Sequence, residues 1–119
     1  MCIRDSAIAY VHVMDQSGFV MGETKGESFA DRLQRLLQRM RQGLGATALI
    51  LAGGMTREKA QQLVDAGVID LAAFGQPFIG NPDLVARLRN GWALSEGDRA
   101  TYYGGGAEGF IDYPAYEPA

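Results

Sequence analysis

The chain carries three short apolar runs, at residues 7–13, 46–51 and 68–74, separated by segments in which apolar positions recur every three or four residues. Within each run polar and apolar positions hardly alternate, which is typical of strands buried on both faces of a parallel sheet. We therefore predict a strand at each run. His12, the only histidine, lies in the first strand, and we expect it to be a core residue rather than a ligand or a base.

The segments between the runs have helical periodicity and recognisable ends. Ser28 and Thr56 are expected to cap the first and second helices, which the glycines at 43 and 45 and at 67 would end. A third helix is expected to open at residues 81–83 and to run to Arg89. The apolar stripe of the first helix comprises Phe29, Leu33, Leu36, Leu37, Met40 and Leu44, and that of the second comprises Ala60, Leu63 and Val64. The arginines at positions 32, 35, 39 and 41 are expected to face mostly water.

Strands that alternate with helices through short connections imply parallel strands joined by right-handed crossovers, so the predicted fold class is α/β. Periodicity alone does not distinguish a barrel from an open sheet. The remainder, residues 91–119, is rich in Gly, Tyr and Pro and lacks a clear period. We expect it to form an ordered tail.

Composition and charge narrow the classes of function. With 47% hydrophobic and 21% charged residues the chain should fold, and its net charge of -3, with no cluster of basic residues, argues against nucleic acid as a partner. No run approaches the ~20 apolar residues that span a bilayer, so no membrane partner is expected. The single cysteine, Cys2, fits a reducing compartment, for which the cytoplasm is the default. No carboxylate spacing is typical of a metal cage, and no metal site is predicted.

The residues with a chemical signature follow two of the predicted strands. Ala52-Gly53-Gly54 comes after the second strand and Phe74-Gly75-Gln76 after the third. Neighbouring parallel strands end at one edge of the sheet, where α/β proteins bind ligands, and glycine lets backbone N–H groups approach a phosphate closely. The two turns could therefore cradle a phosphate. The glycines could equally serve only to allow tight turns.

Three segments, taken in chain order, carry a family resemblance. LAGGM at residues 51–55 and AFGQPFIGNPDL at 73–84 closely resemble the last two strand ends of the Old Yellow Enzyme family. YYGGGAEGFIDYP at 102–114 resembles the C-terminal segment that lies beside the flavin in that family. The resemblance extends from about residue 7 to residue 116. Its implied fold is the C-terminal portion of a (β/α)8 TIM barrel, about strands six to eight with their helices.

The resemblance also implies a cofactor site. The residues that would hold FMN are Ala52, Gly53, Gly54, Phe74, Gly75, Gln76 and Phe110. Gln76 stands where the family usually has an arginine, and a neutral amide cannot reproduce the charged, bidentate contact of a guanidinium with phosphate. Phe110 stands where many relatives have a tyrosine near the flavin. We expect Tyr113 and Tyr116 to pack the tail rather than to enter the site.

The implied reaction is a ping-pong reduction in which NAD(P)H reduces FMN and the flavin then delivers hydride to a small activated alkene. The family's substrate-binding and proton-donating residues are expected earlier in the barrel, so no catalytic residue is assigned in this chain. A complete barrel has ~250 residues, against 119 here, so any barrel interpretation is a partial one. We expect residues 1–6 to be a non-native or unstructured leader, residues 7–119 to form a partial barrel domain, and the chain alone to be inactive.

Two alternatives remain open at this point. The first is a barrel enzyme without flavin that binds a phosphorylated metabolite at the same strand ends. The second is a half-barrel without catalysis that acts as an interaction module through an unpaired strand edge. A third pattern is rejected: GGGAEG at residues 104–109 satisfies GxGxxG, but it neither follows a predicted strand nor opens a predicted helix.

Overall fold

The computed structural model describes residues 7–16 and 29–118, and at residues 29 and 30 only the helical backbone. The three predicted strands and three predicted helices are present, and a short helix that was not predicted, Gln76–Gly80, follows the third strand. In chain order the elements are β1 (Tyr10–Met14), α1 (Phe29–Leu44), β2 (Ala48–Ala52), α2 (Arg57–Asp65), β3 (Leu71–Ala73), α3 (Gln76–Gly80), α4 (Leu84–Asn90) and a 3-10 turn (Arg99–Thr101). The chain forms two compact units, residues 1–73 and 74–119, and each is described by itself.

The first unit is a three-stranded parallel sheet with helices. The strands lie in the order β1-β2-β3, and the register pairs Tyr10 with Ala48 and Ala52 with Ala73. Helix α1 packs on β2 and α2 packs on β3. Because right-handed crossovers between sequentially ordered parallel strands put their helices on the same side, one face of the sheet is the helical face. The predicted α/β class is confirmed.

The two faces of this sheet differ in exposure. On the helical face Leu49 and Leu51 of β2 are fully buried, as is Leu37 of α1. On the other face Tyr10 is 58% exposed and Leu71 is 56% exposed. The prediction of strands buried on both faces is therefore wrong for β1 and β3. The predicted core position of His12 is also wrong, because His12 lies on the face of Tyr10 and is exposed.

Helix α1 buries a narrower stripe than predicted. Leu37 is buried and Leu33 is partly buried, whereas Leu36 is 54% exposed. Its end is as predicted, since Gly45 adopts a positive φ of 59° directly after the helix. The predicted cap Ser28 lies outside the described residues.

Asp70 joins α1 to the beginning of β2 and of β3. Its carboxylate accepts a hydrogen bond from the Leu49 backbone N–H at 2.7 Å and forms a two-point ion pair with the guanidinium of Arg41. The prediction that Arg41 faces water is therefore wrong. The Leu49 N–H holds the pKa of Asp70 below its ordinary value; burial acts in the opposite direction, and Arg41 adds to the lowering.

The ends of α2 follow the sequence signals, but β3 is shorter than predicted. Thr56 caps the helix by accepting the Lys59 N–H at 3.1 Å, and Gly67 adopts a positive φ of 69°. The predicted strand at 68–74 contains only Leu71–Ala73. Val68 and Ile69 are buried, but their N–H groups bond to the carbonyl of Leu63 at the end of α2 instead of to a neighbouring strand.

In the second unit the residues expected to open the last helix, 81–83, directly precede it, and the first of them is a buried asparagine. Asn81 is fully buried and donates to the carbonyls of Pro77 and Ser95, both at 2.8 Å, while its amide oxygen accepts the Ser95 N–H at 2.7 Å. A Cβ on Gly80 would lie 2.9 Å from the Ser95 carbonyl oxygen. The tail therefore approaches the 80–81 corner closely, and α4 begins only at Leu84.

Arg87 of α4 holds the rest of the tail. It is 4% exposed and bonds to Asp83, whose other carboxylate oxygen accepts the Tyr116 N–H at 2.8 Å. That N–H, and then Arg87, hold the pKa of Asp83 below its ordinary value. The remaining acceptors of the Arg87 guanidinium are the Ala93 carbonyl, the Ser95 hydroxyl and the Pro114 carbonyl. The ring of Tyr116 stacks on Trp92 at 4.4 Å between centroids, so the predicted ordered tail is confirmed.

Replacing Asp70 should make the free energy of unfolding less dependent on pH in the acidic range. A carboxylate whose pKa is lower in the folded than in the unfolded state contributes stability above the unfolded value of about 4 and loses it as pH falls through the folded value. We expect Asp70→Asn to lower the free energy of unfolding by about 1 kcal/mol at pH 7, a modest effect because the exposed third of each side chain is screened by water. In urea titrations this difference should shrink towards zero below pH 4. A difference that stays constant with pH would contradict the account.

Replacing Asn81 should destabilise the protein far more than replacing an exposed asparagine. Asn81→Ala removes three hydrogen bonds that the fully buried amide makes to the backbone of Pro77 and Ser95, which we expect to cost about 2–3 kcal/mol in urea unfolding. Asn90→Ala is the matched control, since Asn90 is exposed and makes one bond, to the Ala86 carbonyl. Its expected cost is within about 0.5 kcal/mol. Equal costs for the two variants would mean that Asn81 does not hold the tail.

Candidate functional site

The strands of the first unit end together at one edge of the sheet. Met14 pairs with Ala52, and Ala52 pairs with Ala73, so the last residues of all three strands are in register. Gly53 is the first residue after β2, and Phe74 is the first after β3. The carboxyl edge of a parallel sheet is where α/β proteins bind ligands. The prediction that both glycine-containing turns start from one edge is confirmed.

The turn after β2 is built on two glycines with different tasks. Gly53 and Gly54 have positive φ angles of 100° and 53°, which non-glycine residues rarely adopt. A Cβ on Gly53 would lie 2.1 Å from the backbone oxygen of Asp15, so the fold itself requires this glycine. A Cβ on Gly54 would meet no atom of the described residues within 4 Å, and Gly54 is exposed. The turn is therefore accessible to solvent at Gly54.

The turn after β3 belongs to the second unit. Phe74 is partly buried, while Gly75 and Gln76 are exposed. Gly75 precedes α3, and its carbonyl accepts the Phe78 N–H at 3.0 Å. With a φ of -104° and no atom of the described chain within 4 Å of an added Cβ, this glycine is not required by packing.

A lysine that the sequence analysis did not single out lies beside the first turn. The ammonium nitrogen of Lys59 is 3.1 Å from the Asp15 carboxylate and 3.4 Å from the Gly53 carbonyl oxygen. The Asp15 side chain is only 5% exposed, and its backbone N–H donates to the Ala52 carbonyl at 2.7 Å. Charge patterning does not reveal this pair, because the two residues are far apart in sequence and lie on different elements.

The predicted aromatic residue of the site is on the tail. Phe110 is 83% exposed, and its N–H donates to the Ala107 carbonyl in a turn. Its contact with a flavin stays a prediction. Tyr113 accepts the Asp98 N–H through its hydroxyl at 2.7 Å, and Tyr116 stacks on Trp92. Both tyrosines thus make contacts within the second unit, and packing of the tail against a barrel stays a prediction.

Three other kinds of functional feature are a metal site, a membrane-spanning helix and a dinucleotide fingerprint. Within residues 7–16 and 29–118 there is no group of three or more His, Cys, Asp and Glu side chains that could hold a metal ion. No helix in the described part is long and apolar enough to cross a membrane. The GxGxxG segment at 104–109 forms bends and a turn that no strand precedes, and a Cβ on Gly109 would lie 2.1 Å from the Thr101 hydroxyl. Its rejection as a dinucleotide fingerprint is confirmed.

Comparison with known proteins gives a consistent group of relatives. The chain is 33% identical over 120 residues to flavin oxidoreductase hxnT of Emericella nidulans and 34% identical over 114 residues to 12-oxophytodienoate reductase 7 of Oryza sativa subsp. japonica. Each alignment covers 93% of this chain, but only 31% and 29% of the respective relative. No model of a protein family matches the chain.

Solved structures agree with the sequence relatives. Morphinone reductase superposes with a TM-score of 0.75 at 37% identity, over 92% of this chain and 27% of that chain. The old yellow enzyme from Trypanosoma cruzi superposes with a TM-score of 0.71 at 31% identity, over 91% of this chain and 26% of that one. Identity in sequence and similarity in backbone thus extend together over nearly the whole chain. The chain belongs to the Old Yellow Enzyme family, as the segments at 51–55, 73–84 and 102–114 predict.

Proposed function

We propose that this chain is the flavin-phosphate segment of an FMN-dependent reductase of activated alkenes that uses NAD(P)H. The observation that carries the proposal is the pair of glycine-containing turns that leave adjacent parallel strands at one sheet edge, in a chain 37% identical to morphinone reductase. One of the solved morphinone reductase structures is a complex with tetrahydroNAD, which supports a nicotinamide as the reductant.

The exposed apolar face of the sheet supports a place in a barrel. Parallel sheets are normally covered on both faces, and in a (β/α)8 barrel the helices cover the outside while side chains from all the strands fill the inside. Tyr10, Met14 and Leu71 lie on the face opposite the helices and are more than half exposed. We infer that this face is the barrel interior. Residues 7–119 would then supply about strands six to eight of the barrel domain.

Each of the two turns, taken by itself, leaves its backbone open to a phosphate group. Gly54 and Gly75 are exposed, and neither has a neighbouring atom among the described residues that would occupy the space of a Cβ. Ala52, Gly53 and Phe74 would contribute backbone groups beside them, Gln76 a neutral amide, and Phe110 an apolar contact nearer the flavin ring. When bound, FMN would supply hydride transfer from NAD(P)H to the alkene. The role of this chain is to bind and orient the FMN. We expect the protein to be cytoplasmic.

The proposal is tested on the longest gene product that contains this chain. After saturation with FMN, anaerobic oxidation of NADH and of NADPH is followed with and without 2-cyclohexenone. Flavin bound in a one-to-one ratio and nicotinamide oxidation that depends on the alkene are the expected results. Binding of a sugar phosphate without FMN would instead favour a barrel enzyme that lacks flavin, and binding of neither would favour an interaction module.

The glycine after β3 offers the cleaner test of the phosphate site. Gly75→Ala adds a methyl group that the fold has room for but that would stand where a phosphate approaches, so we expect FMN affinity to fall about tenfold or more. The matched control is Gly43→Ala, which adds the same methyl group in open space on α1 and should leave affinity unchanged. Flavin titration measures both. Equal affinity of the two variants would remove Gly75 from the site.

Restoring the family's usual charge at position 76 should strengthen phosphate binding. Gln76→Arg offers a bidentate, charged contact in place of an amide, which we expect to tighten FMN binding by about 1.5 kcal/mol, or about tenfold. Riboflavin, which lacks the phosphate, should bind the variant and the parent protein equally. An equal gain for riboflavin, or no gain for FMN, would show that Gln76 does not lie at the phosphate.

A further inference from the structure

The side chain of Lys59 is held so that its ammonium group lies beside the turn after β2. It projects from the first turn of α2, and Thr56 caps that turn by accepting the Lys59 backbone N–H. Its side chain spans from the Asp15 carboxylate, at 3.1 Å, to the carbonyl oxygen of Gly53, at 3.4 Å. A cation therefore faces the carbonyl side of the peptide unit that links Gly53 to Gly54.

The geometry of that peptide unit gives the contact a consequence. A trans peptide is planar, so its C=O and N–H point in opposite directions, and the described residues contain no cis peptide. The bond from Lys59 to the Gly53 oxygen thus sets the direction of the Gly54 N–H, which points away from the lysine. A cation at the oxygen also polarises the unit and strengthens the N–H as a donor. Two glycines in sequence restrict the orientation of this peptide less than other residues would.

Asp15 holds the lysine and the turn in one place. Its side chain is 5% exposed, its N–H donates to the Ala52 carbonyl at 2.7 Å, and its carbonyl oxygen lies against Gly53. The first residue after β1 thereby contacts the end of β2 through the backbone and Lys59 through the side chain. The two interactions connect three elements at the edge where the strands end.

We propose that Lys59 is a positioning residue for phosphate binding, which acts by orienting and polarising the peptide unit between Gly53 and Gly54. Asp15 keeps the ammonium group at the carbonyl oxygen. The inference rests on the proposed function, since it takes the phosphate of FMN as the ligand of the Gly54 N–H. Part of the affinity for phosphate would then come from a side chain on the opposite side of the turn, and not from the backbone alone.

The test compares FMN with riboflavin in the longest gene product that contains this chain. We expect Lys59→Met to weaken FMN binding about five- to tenfold while riboflavin affinity changes less than twofold, because only FMN has the phosphate. Lys59→Arg keeps a cation and a donor and should restore most of the affinity. Arg57→Met is the matched control, because it removes the same charge from an exposed position in the same helical turn, and it should leave both affinities unchanged.

A stability effect is separated from a positioning effect by a second variant. Lys59→Met removes a cation from beside the nearly buried Asp15 carboxylate, so the paired variant Asp15→Asn with Lys59→Met removes the negative charge as well. The paired variant should regain thermal stability but not the preference for FMN over riboflavin. Recovery of that preference, or equal loss of both ligands, would overturn the proposal. Absence of FMN binding by the unmodified protein would instead refute the proposed function.

Discussion

Sequential parallel pairing is the constraint on which the rest of this structure depends. Because β1, β2 and β3 lie side by side in chain order and run in the same direction, each crossover has to return the chain from the carboxyl edge to the amino edge. The helices then share one face and the connections that follow the strands share one edge. Asp70 helps to maintain this arrangement, since one carboxylate bonds to the backbone at the start of β2 and to Arg41 of α1. Binding chemistry at the opposite edge depends on that alignment.

The glycines of the candidate site show that a motif can combine separate physical requirements. Gly53 is required because the chain after β1 passes too close for a side chain, whereas Gly75 has open space around it. Within the segment at 73–84 the same division appears. Gly75 and Gln76 are accessible, while Gly80 and Asn81 are packed against the tail. The segment therefore combines accessible residues at one end with residues that attach the tail at the other.

Much of the fold follows from local signals, and the departures have physical causes. The order of the strands and longer helices, the Thr56 cap and the edge shared by the two turns were predictable, because apolar periodicity and glycine positions act over a few residues. The exposure of His12 was not, because an apolar run does not reveal whether anything covers its second face. Contacts between distant residues were also missed. The pairing of Lys59 with Asp15 depends on tertiary proximity, for which spacing gives no signal.

The anchoring of the tail has a consequence for how the protein can change. Residues 99–112 form a loop whose base is closed by the hydrogen bond from the Asp98 N–H to the Tyr113 hydroxyl, with the stack of Trp92 on Tyr116 just outside it. Both ends are held independently of what lies between them. Doubling the length of a flexible loop costs only about 0.6 kcal/mol in closure entropy, so insertions among the exposed glycines at 104–106 should be tolerated. The length of this loop can therefore change in evolution at little cost in stability, whereas the proposed flavin contact of Phe110 limits changes in its composition.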